Sequence, residues 1–174
     1  GESPDTHGTL PIRPLVVGGD DIVVLCHVQY AMAFVKEVMR VFEKSSKDFN
    51  DIYKKNHGKD LWPATGGSLS ISAGILYCPV SLPLHTAIPY AESLLASAKH
   101  RGRNNRKDIK TPAPASLDWE QITGSTIDTP SAKRHREFRF YDEEKKSIIE
   151  LTSRPYTLLD YTKLEEVAKK YQTI

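Results

Sequence analysis

The chain has 174 residues, of which 39% are hydrophobic and 26% charged, with 11 prolines, 10 glycines and a formal net charge of +2. This length and composition predict one globular domain and exclude disordered, collagen-like and coiled-coil proteins. The net charge is too small to indicate nucleic-acid binding by itself, and no apolar run approaches the roughly 18 residues of a membrane span.

The first ten residues are interpreted as a lead-in to the domain. The chain begins Gly1-Glu2-Ser3 without an initiator methionine, which is typical of a piece cut from something longer and carrying a tag remnant. We therefore assign 1–10 to this remnant and lead-in and expect the domain to start at residue 11. No secretion signal is visible, so we expect a cytoplasmic protein without membrane contact.

A β-hairpin followed by a long helix is predicted next. The apolar runs 15–17 and 22–26 flank Gly18-Gly19-Asp20-Asp21, and glycine and aspartate provide the positive φ angles of hairpin turns. From residue 31 the apolar positions recur at helical spacing as far as Gly58. A loop rich in proline and glycine then covers 61–67.

Another strand and another helix follow. The segment 69–78 contains an internal Gly74, which suits a central strand where a second backbone or a ligand approaches closely. A second amphipathic helix is predicted from Thr86, a plausible N-cap, with Pro89 in its first turn. Cys26 and Cys78 are isolated in strand-like runs, which favours a reducing cytoplasm over a disulfide framework.

The last third of the chain is predicted to extend the same core. We expect 112–130 to be irregular, 138–141 and 147–152 to form a hairpin, and 158–171 to form a terminal helix. The order of elements predicts an α+β sandwich with helices on one face of a largely antiparallel sheet.

The adjacent carboxylates of Asp20 and Asp21 are the candidate catalytic and metal-binding residues. They repel each other unless a cation or solvent relieves them, and Mg²⁺ prefers carboxylate oxygens while retaining water and phosphate as its other ligands. Gly18 and Gly19 remove side chains where a nucleotide would lie. The alternative interpretation is that these four residues are simply good turn chemistry.

A basic stretch after the second helix is the other unusual feature. Residues 99–110 contain six cationic side chains and one carboxylate. One interpretation is a solvated loop without a specific role, and the other is a segment that contacts phosphate or RNA. The six cations are Lys99, Arg101, Arg103, Arg106, Lys107 and Lys110.

Three motifs in order resemble the GGDEF and palm-type nucleotidyl cyclase superfamily. They are the Gly-Gly-Asp-Asp hairpin, the strand SISAGI at 70–75, and the helix that runs into AKHRGRN at 98–104. The branch that looks closest is the polymerase-cyclase large subunit of type III CRISPR effector complexes, with its stand-alone relatives. The resemblance covers about residues 11 to 104.

The resemblance implies a ferredoxin-like palm at 11–110 that carries the hairpin, followed by a hairpin and helix extension at 111–174. It implies synthesis of cyclic oligoadenylate or cyclic dinucleotide signals, usually from ATP, in antiviral defence. Asp20 and Asp21 would hold Mg²⁺ or Mn²⁺, while Lys99 and, less directly, Arg103 would contact the triphosphate. A second palm, in the same chain or in a symmetric partner, would present the second nucleotide.

One departure from the family pattern bears on activity. The palm normally begins with a strand carrying another metal-binding aspartate and a helix, and no such βα unit precedes the hairpin here. We therefore expect the parent protein to be a cyclase and this piece to be inactive alone if that unit is required.

Two other functions stay open. A palm without catalysis could position RNA or protein partners through its basic stretch, and salt-dependent RNA binding without metal-dependent ATP binding would indicate it. A diguanylate cyclase would prefer GTP to ATP, although Asp21 and Ile22 replace the Glu and Phe that are usual in that branch.

Overall fold

The computed structural model describes residues 11–106, 111, 113–123 and 128–171. In this part of the chain strands and helices alternate, with a short 3₁₀ helix at Pro63–Thr65. The strands are β1 (Ile12–Gly18), β2 (Asp21–Cys26), β3 (Ser72–Tyr77), β4 (Ser116–Gln121), β5 (Arg139–Asp142), β6 (Ser147–Glu150) and β7 (Tyr156–Thr157). The helices are α1 (Val28–His57), α2 (Leu84–Asn104), α3 (Pro130–Phe138) and α4 (Leu158–Tyr171).

The predicted first hairpin is confirmed. Strands β1 and β2 pair antiparallel from Ile12 opposite Cys26 to Gly18 opposite Asp21, with a bulge between Pro14 and Val16. The loop between the strands is therefore only two residues long. Its first residue, Gly19, has φ of 61°, a conformation that glycine adopts without the steric cost borne by other residues.

Helix α1 ends where the sequence predicts. Gly58 has φ of 70° and its N–H donates to the carbonyl of Lys54, which is a glycine C-cap. The loop that follows is fixed by the buried side chain of Asn50, which accepts from the N–H of Leu61 at 2.8 Å and donates to Asp60 at 3.0 Å. These bonds attach 58–69 firmly to the helix.

The central sheet has the order β3-β4-β7. Strands β3 and β4 pair in parallel from Ser72 opposite Ser116 to Tyr77 opposite Gln121, whereas β4 and β7 are antiparallel. A parallel pair requires a crossover, which α2 supplies. A Cβ on Gly74 would overlap the backbone of α2 at Ala91 and Leu95, so the predicted close approach of another backbone at this glycine is confirmed.

Strand β4 corrects two expectations. The prediction of an irregular 112–130 is wrong, because 116–121 forms a strand. The prediction that β3 is a central strand is also wrong, because β4 lies in the middle of the described three-stranded sheet and β3 lies at its edge. The strand is hard to detect because Asp118 and Glu120 are buried rather than exposed. Partners far along the chain make that burial possible, as described below.

The expectation that helices cover one face of the sheet is also wrong. Leu117 packs with Met39 of α1 and with residues of α4. The neighbouring position Ser116 lies against Gly102 of α2. Because successive strand residues point to opposite faces, α2 covers one face while α1 and α4 cover the other. Strand β4 is only six residues long and two of its buried residues are acidic, so no alternating pattern indicated a second covered face.

The C-terminal elements agree well with prediction. The hairpin β5–β6 pairs antiparallel, and α4 has the predicted bounds. Helix α2, in contrast, begins at Leu84 with Pro83 as N-cap, so Thr86 is not its cap. Of the helices that the structure describes, none has the length and apolar character to cross a bilayer.

Candidate functional site

The tip of the first hairpin places Asp20 and Asp21 in solvent. Asp20 occupies the second position of the two-residue loop and Asp21 starts β2. Neither carboxylate has a hydrogen bond or ion pair within the described residues. A Cβ added at Gly18 or Gly19 would meet nothing within 4 Å. The tip is therefore a pair of unpaired negative charges next to open space.

This arrangement fits part of the ligand set of a divalent cation. Hard cations bind carboxylate oxygens and complete their shells with water and phosphate, and an unneutralised pair of carboxylates attracts them. Among the described residues no group of three or more His, Cys, Asp or Glu side chains is placed to hold a metal ion. Asp20 and Asp21 can thus supply only two carboxylate ligands, and the remaining ligands must come from elsewhere.

Apolar side chains next to the tip are also uncovered. Val17 and Ile22 are opposite each other in the hairpin and are 74% and 62% exposed. Val16 and Leu25 are exposed as well, but they lie on the other face of the hairpin, because successive strand residues point to opposite faces. Apolar side chains are therefore exposed on both faces, and Val17 with Ile22 is the more exposed pair.

Lys99 and Arg103 lie on the last two turns of α2. They are four residues apart and therefore on the same side of the helix, both are exposed, and neither pairs with a carboxylate in the described part of the chain. The helix end is held in place by Gly102, whose Cα lies against the Pro114 carbonyl and the Ser116 side chain. No hydrogen bond or ion pair joins these cations to the hairpin tip.

The rest of the basic stretch divides between exposed and half-buried positions. Arg106 is exposed, whereas Arg101 is half-buried and its Nε has no hydrogen-bond partner. Lys107 and Lys110 lie outside the described residues. The side chain of Asn104 bonds to His100 one turn earlier, at 3.2 Å, so it serves the helix end.

A buried polar network on β4 was not anticipated from sequence. Arg134 of α3 donates to both oxygens of Asp118, at 2.8 and 2.6 Å. Lys133 donates to Glu120 at 3.1 Å, and Arg154 lies 3.5 Å from the same oxygen. The alternation of Leu117 and Trp119 with two acidic residues was the available signal for a strand.

Three tyrosines near this network have raised pKa values. Burial, assisted by the negative charge of Glu165, raises the pKa of Tyr161 to about 12. Burial is also the main cause of the raised pKa of Tyr90, with Glu120 adding to it, and of the raised pKa of Tyr77, with Cys26 adding to it.

Residues 11–107 match the sequence model of a family described as Cas10/Cmr2, second palm domain. The matched range covers more than half of the chain, includes the hairpin tip and α2, and ends before β4. Among curated proteins, none matches the chain. The resemblance to the type III CRISPR large subunit, and the ferredoxin-like palm that it implies, are thereby confirmed.

Proposed function

Because the chain belongs to the Cas10/Cmr2 family of second palm domains, we propose that it is a metal-dependent nucleotidyl cyclase palm. Its substrate would be ATP, and its products cyclic oligoadenylate or cyclic dinucleotides that signal in type III CRISPR or related antiviral defence. The family match gives the coarser statement, a palm domain related to the nucleotide cyclases of type III CRISPR effectors.

The observation that carries the proposal is the hairpin tip. Adjacent carboxylates without a cation partner, beside two glycines whose surroundings are open, form a surface where a triphosphate and a divalent ion can enter together. A turn that served only to connect two strands would not need two neighbouring acidic side chains, because their repulsion has a cost.

Asp20 and Asp21 would hold Mg²⁺ or Mn²⁺ at the tip. A bound ion of this kind neutralises charge on the attacked phosphate and on the departing pyrophosphate. Gly18 and Gly19 allow the nucleotide to approach the backbone. The two-residue loop and the register of the strands keep the two aspartates next to each other at the tip.

Lys99 and Arg103 are proposed to contact the triphosphate. Both are free cations on one side of a helix end, and lysine and arginine are the usual partners of phosphate oxygens. A lysine in this position is also favourable against the helix dipole without any ligand. Substitution of each residue by glutamine distinguishes phosphate contact from stabilisation of the helix end, because only the loss of a phosphate contact raises the substrate KM.

A second palm is proposed to cover the hairpin. A 3′,5′ link needs a second nucleotide opposite the first, and the exposed apolar pair Val17 and Ile22, on one face of the hairpin, supplies a contact for a partner. The partner lies in the same parent chain or in a symmetric copy. Analytical ultracentrifugation of the Val17→Lys variant would show whether association with the second palm is lost.

The test is an activity assay with this chain and with any longer protein of which it is a part. Each is incubated with ATP or GTP and with Mg²⁺ or Mn²⁺, and cyclic products and pyrophosphate are measured. We expect ATP to be used and the double variant Asp20→Ala with Asp21→Ala to be inactive in the parent. Product formation by that double variant would refute the role of the tip, and a preference for GTP would favour a diguanylate cyclase.

One observation favours a second function, an inactive palm that binds RNA. Lys99, Arg103 and Arg106 are exposed at one helix end without carboxylate partners in the described residues, as phosphate contacts would be. RNA binding that weakens steeply with salt and does not change with metal or ATP would support this function over the cyclase.

A further inference from the structure

A second polar site lies away from the hairpin tip, where β3 and β4 end. A cleft of about 430 Å³ is bordered there by Lys133 and Arg154, with Trp119, Phe138 and Glu120 among its other walls. That volume lies within the range of roughly 300 to 1,000 Å³ typical of small-molecule sites. All of these residues lie beyond the range that matches the palm family.

The buried charges beside the cleft do not balance among themselves. Arg134 and Asp118 form a complete two-to-two pair, which leaves Lys133 and Arg154 to share the single carboxylate of Glu120. The side chains of Lys133, Arg154 and Glu120 are only 21%, 12% and 4% exposed. The buried group therefore holds three cations and two carboxylates, and the carboxylate that completes the balance, Glu137, lies on the exposed rim.

Both of the sharing cations keep unused hydrogens. Lys133 donates to Glu120 and, at 2.8 Å, to the carbonyl of Gln121, which leaves one of its three hydrogens. Arg154 donates through Nη1 to Trp119 and through Nε to Thr152. Within the described part of the chain its Nη2 donates to no oxygen. The spare donors belong to the two cations that border the cleft.

One acceptor in the same group also lacks a partner. The Oε2 atom of Glu120 is buried and has no hydrogen bond, and the Nε atom of Arg134, which is likewise unpaired, lies 3.8 Å from it. Because Oε2 is closed to solvent, a ligand in the cleft does not reach it, and the groups open to a ligand are the two cations.

We propose that the cleft binds a small anion that carries a phosphate group, whose charged oxygens accept from Lys133 and Arg154. Lysine and arginine together are the side chains best suited to phosphate oxygens. The proposal rests on the β4 network alone and does not depend on catalysis at the hairpin.

One rim residue opposes the anion. Glu137 also borders the cleft, and its carboxylate shares Arg136 with Asp128, so it is only partly neutralised. Its side chain is 40% exposed, where solvent and salt weaken the repulsion. Removal of this carboxylate should therefore strengthen binding modestly, in the opposite direction to removal of Lys133.

The experiment is a titration of the ¹⁵N-labelled 174-residue chain with inorganic phosphate at constant ionic strength, followed by NMR. We expect saturable shifts of the Trp119 indole and the Thr123 amide with a Kd of about 1 mM or weaker, as for a single small anion. Lys133→Gln should weaken binding about tenfold, and Glu137→Gln should strengthen it about twofold.

Matched controls separate this site from the hairpin. Lys55→Gln, which removes an exposed cation of α1 that does not border the cleft, and the double variant Asp20→Asn with Asp21→Asn should leave the phosphate-induced shifts of Trp119 and Thr123 unchanged. Adenosine monophosphate distinguishes the source of the group. Tighter binding than phosphate with the same dependence on Lys133 assigns the site to a nucleotide, and equal affinity assigns it to free phosphate.

The proposal is overturned if phosphate causes no saturable shift at Trp119 or Thr123, or if Lys133→Gln binds within twofold of the unmodified chain. If the spectrum of Lys133→Gln shows a loss of fold, Glu137→Gln decides the matter, because that exposed rim residue is dispensable for folding, and weaker or unchanged binding contradicts the proposal.

Discussion

The hairpin tip and strand β4 each carry two acidic side chains, but one pair is exposed and the other is buried. Asp20 and Asp21 are exposed and have no cation within the described residues. Asp118 and Glu120 are buried, and each is paired with a guanidinium or ammonium group. Carboxylates that the fold has already neutralised serve stability, whereas carboxylates left without a partner are available to a ligand.

The same contrast applies to glycines. Gly74 is needed because the backbone of α2 occupies the space where a side chain would be, while Gly18 faces open space. One glycine therefore allows two elements of the fold to pack, and the other leaves room at the hairpin. The core and the tip can be tested independently of each other by the substitutions that follow.

The largest effect is expected at Gly74. Gly74→Ala places a Cβ against the backbone of Ala91 and Leu95, which cannot move aside as a flexible side chain would, so we expect a loss of at least about 4 kcal/mol in the free energy of unfolding. Gly18→Ala should change it by under about 1 kcal/mol. Urea denaturation measures both. Equal losses would remove the distinction between the two glycines.

The next effect concerns the buried ion pair. Arg134→Met leaves the fully buried Asp118 without its cation, and we expect a loss of about 3 kcal/mol because an uncompensated charge remains in the interior. The control is Arg136→Met, which removes an exposed arginine of the same helix. Its unfolding midpoint should be indistinguishable from that of the unmodified chain. A neutral effect of Arg134→Met would show that the buried pair is not structural.

A smaller effect is expected from pH. The pKa of Tyr161 is raised to about 12, mainly by burial, so folding favours the neutral phenol. The stability from this group is complete below its ordinary pKa of about 10 and is lost as the pH rises from there towards about 12. The unfolding temperature should therefore fall less steeply across this pH window in Tyr161→Phe than in the unmodified chain. Identical slopes of unfolding temperature against pH would contradict the burial of the Tyr161 phenol.

The smallest effect on stability is expected at the tip. Asp20→Asn with Asp21→Asn removes two exposed charges that contact no cation among the described residues, so the free energy of unfolding should change by under about 0.5 kcal/mol. Chemical denaturation with a circular dichroism readout is sufficient. A large destabilisation would mean that these carboxylates are structural after all, and the contrast with β4 would fail.

The sequence predicted those parts of the fold whose signals are local. The two apolar runs around Gly-Gly-Asp-Asp predicted the hairpin, and helical spacing predicted α4 at 158–171, as observed. The hairpin tip was also identified as the candidate site from sequence, because glycines next to paired carboxylates are recognisable without a structure. Its metal and nucleotide ligands stay predictions.

Strand β4 escaped prediction for a physical reason. From sequence, acidic residues are expected at the surface. They are buried here because cations far along the chain pair with them: Arg134 is 16 residues after Asp118, and Arg154 is 34 residues after Glu120. No pattern within a short window reports such pairs. For the same reason, neither the second covered face of the sheet nor the cleft beside Lys133 could be predicted.

Manganese binding tests the central claim most directly. Free Mn²⁺ is measured by electron paramagnetic resonance while the 174-residue chain is added in the presence of ATP, with Asp48→Asn plus Asp51→Asn on α1 as a matched double control. We expect the unmodified chain and the α1 control to take up the ion and the Asp20→Asn, Asp21→Asn variant to take up none beyond what ATP binds. Equal uptake by the tip variant would contradict the account.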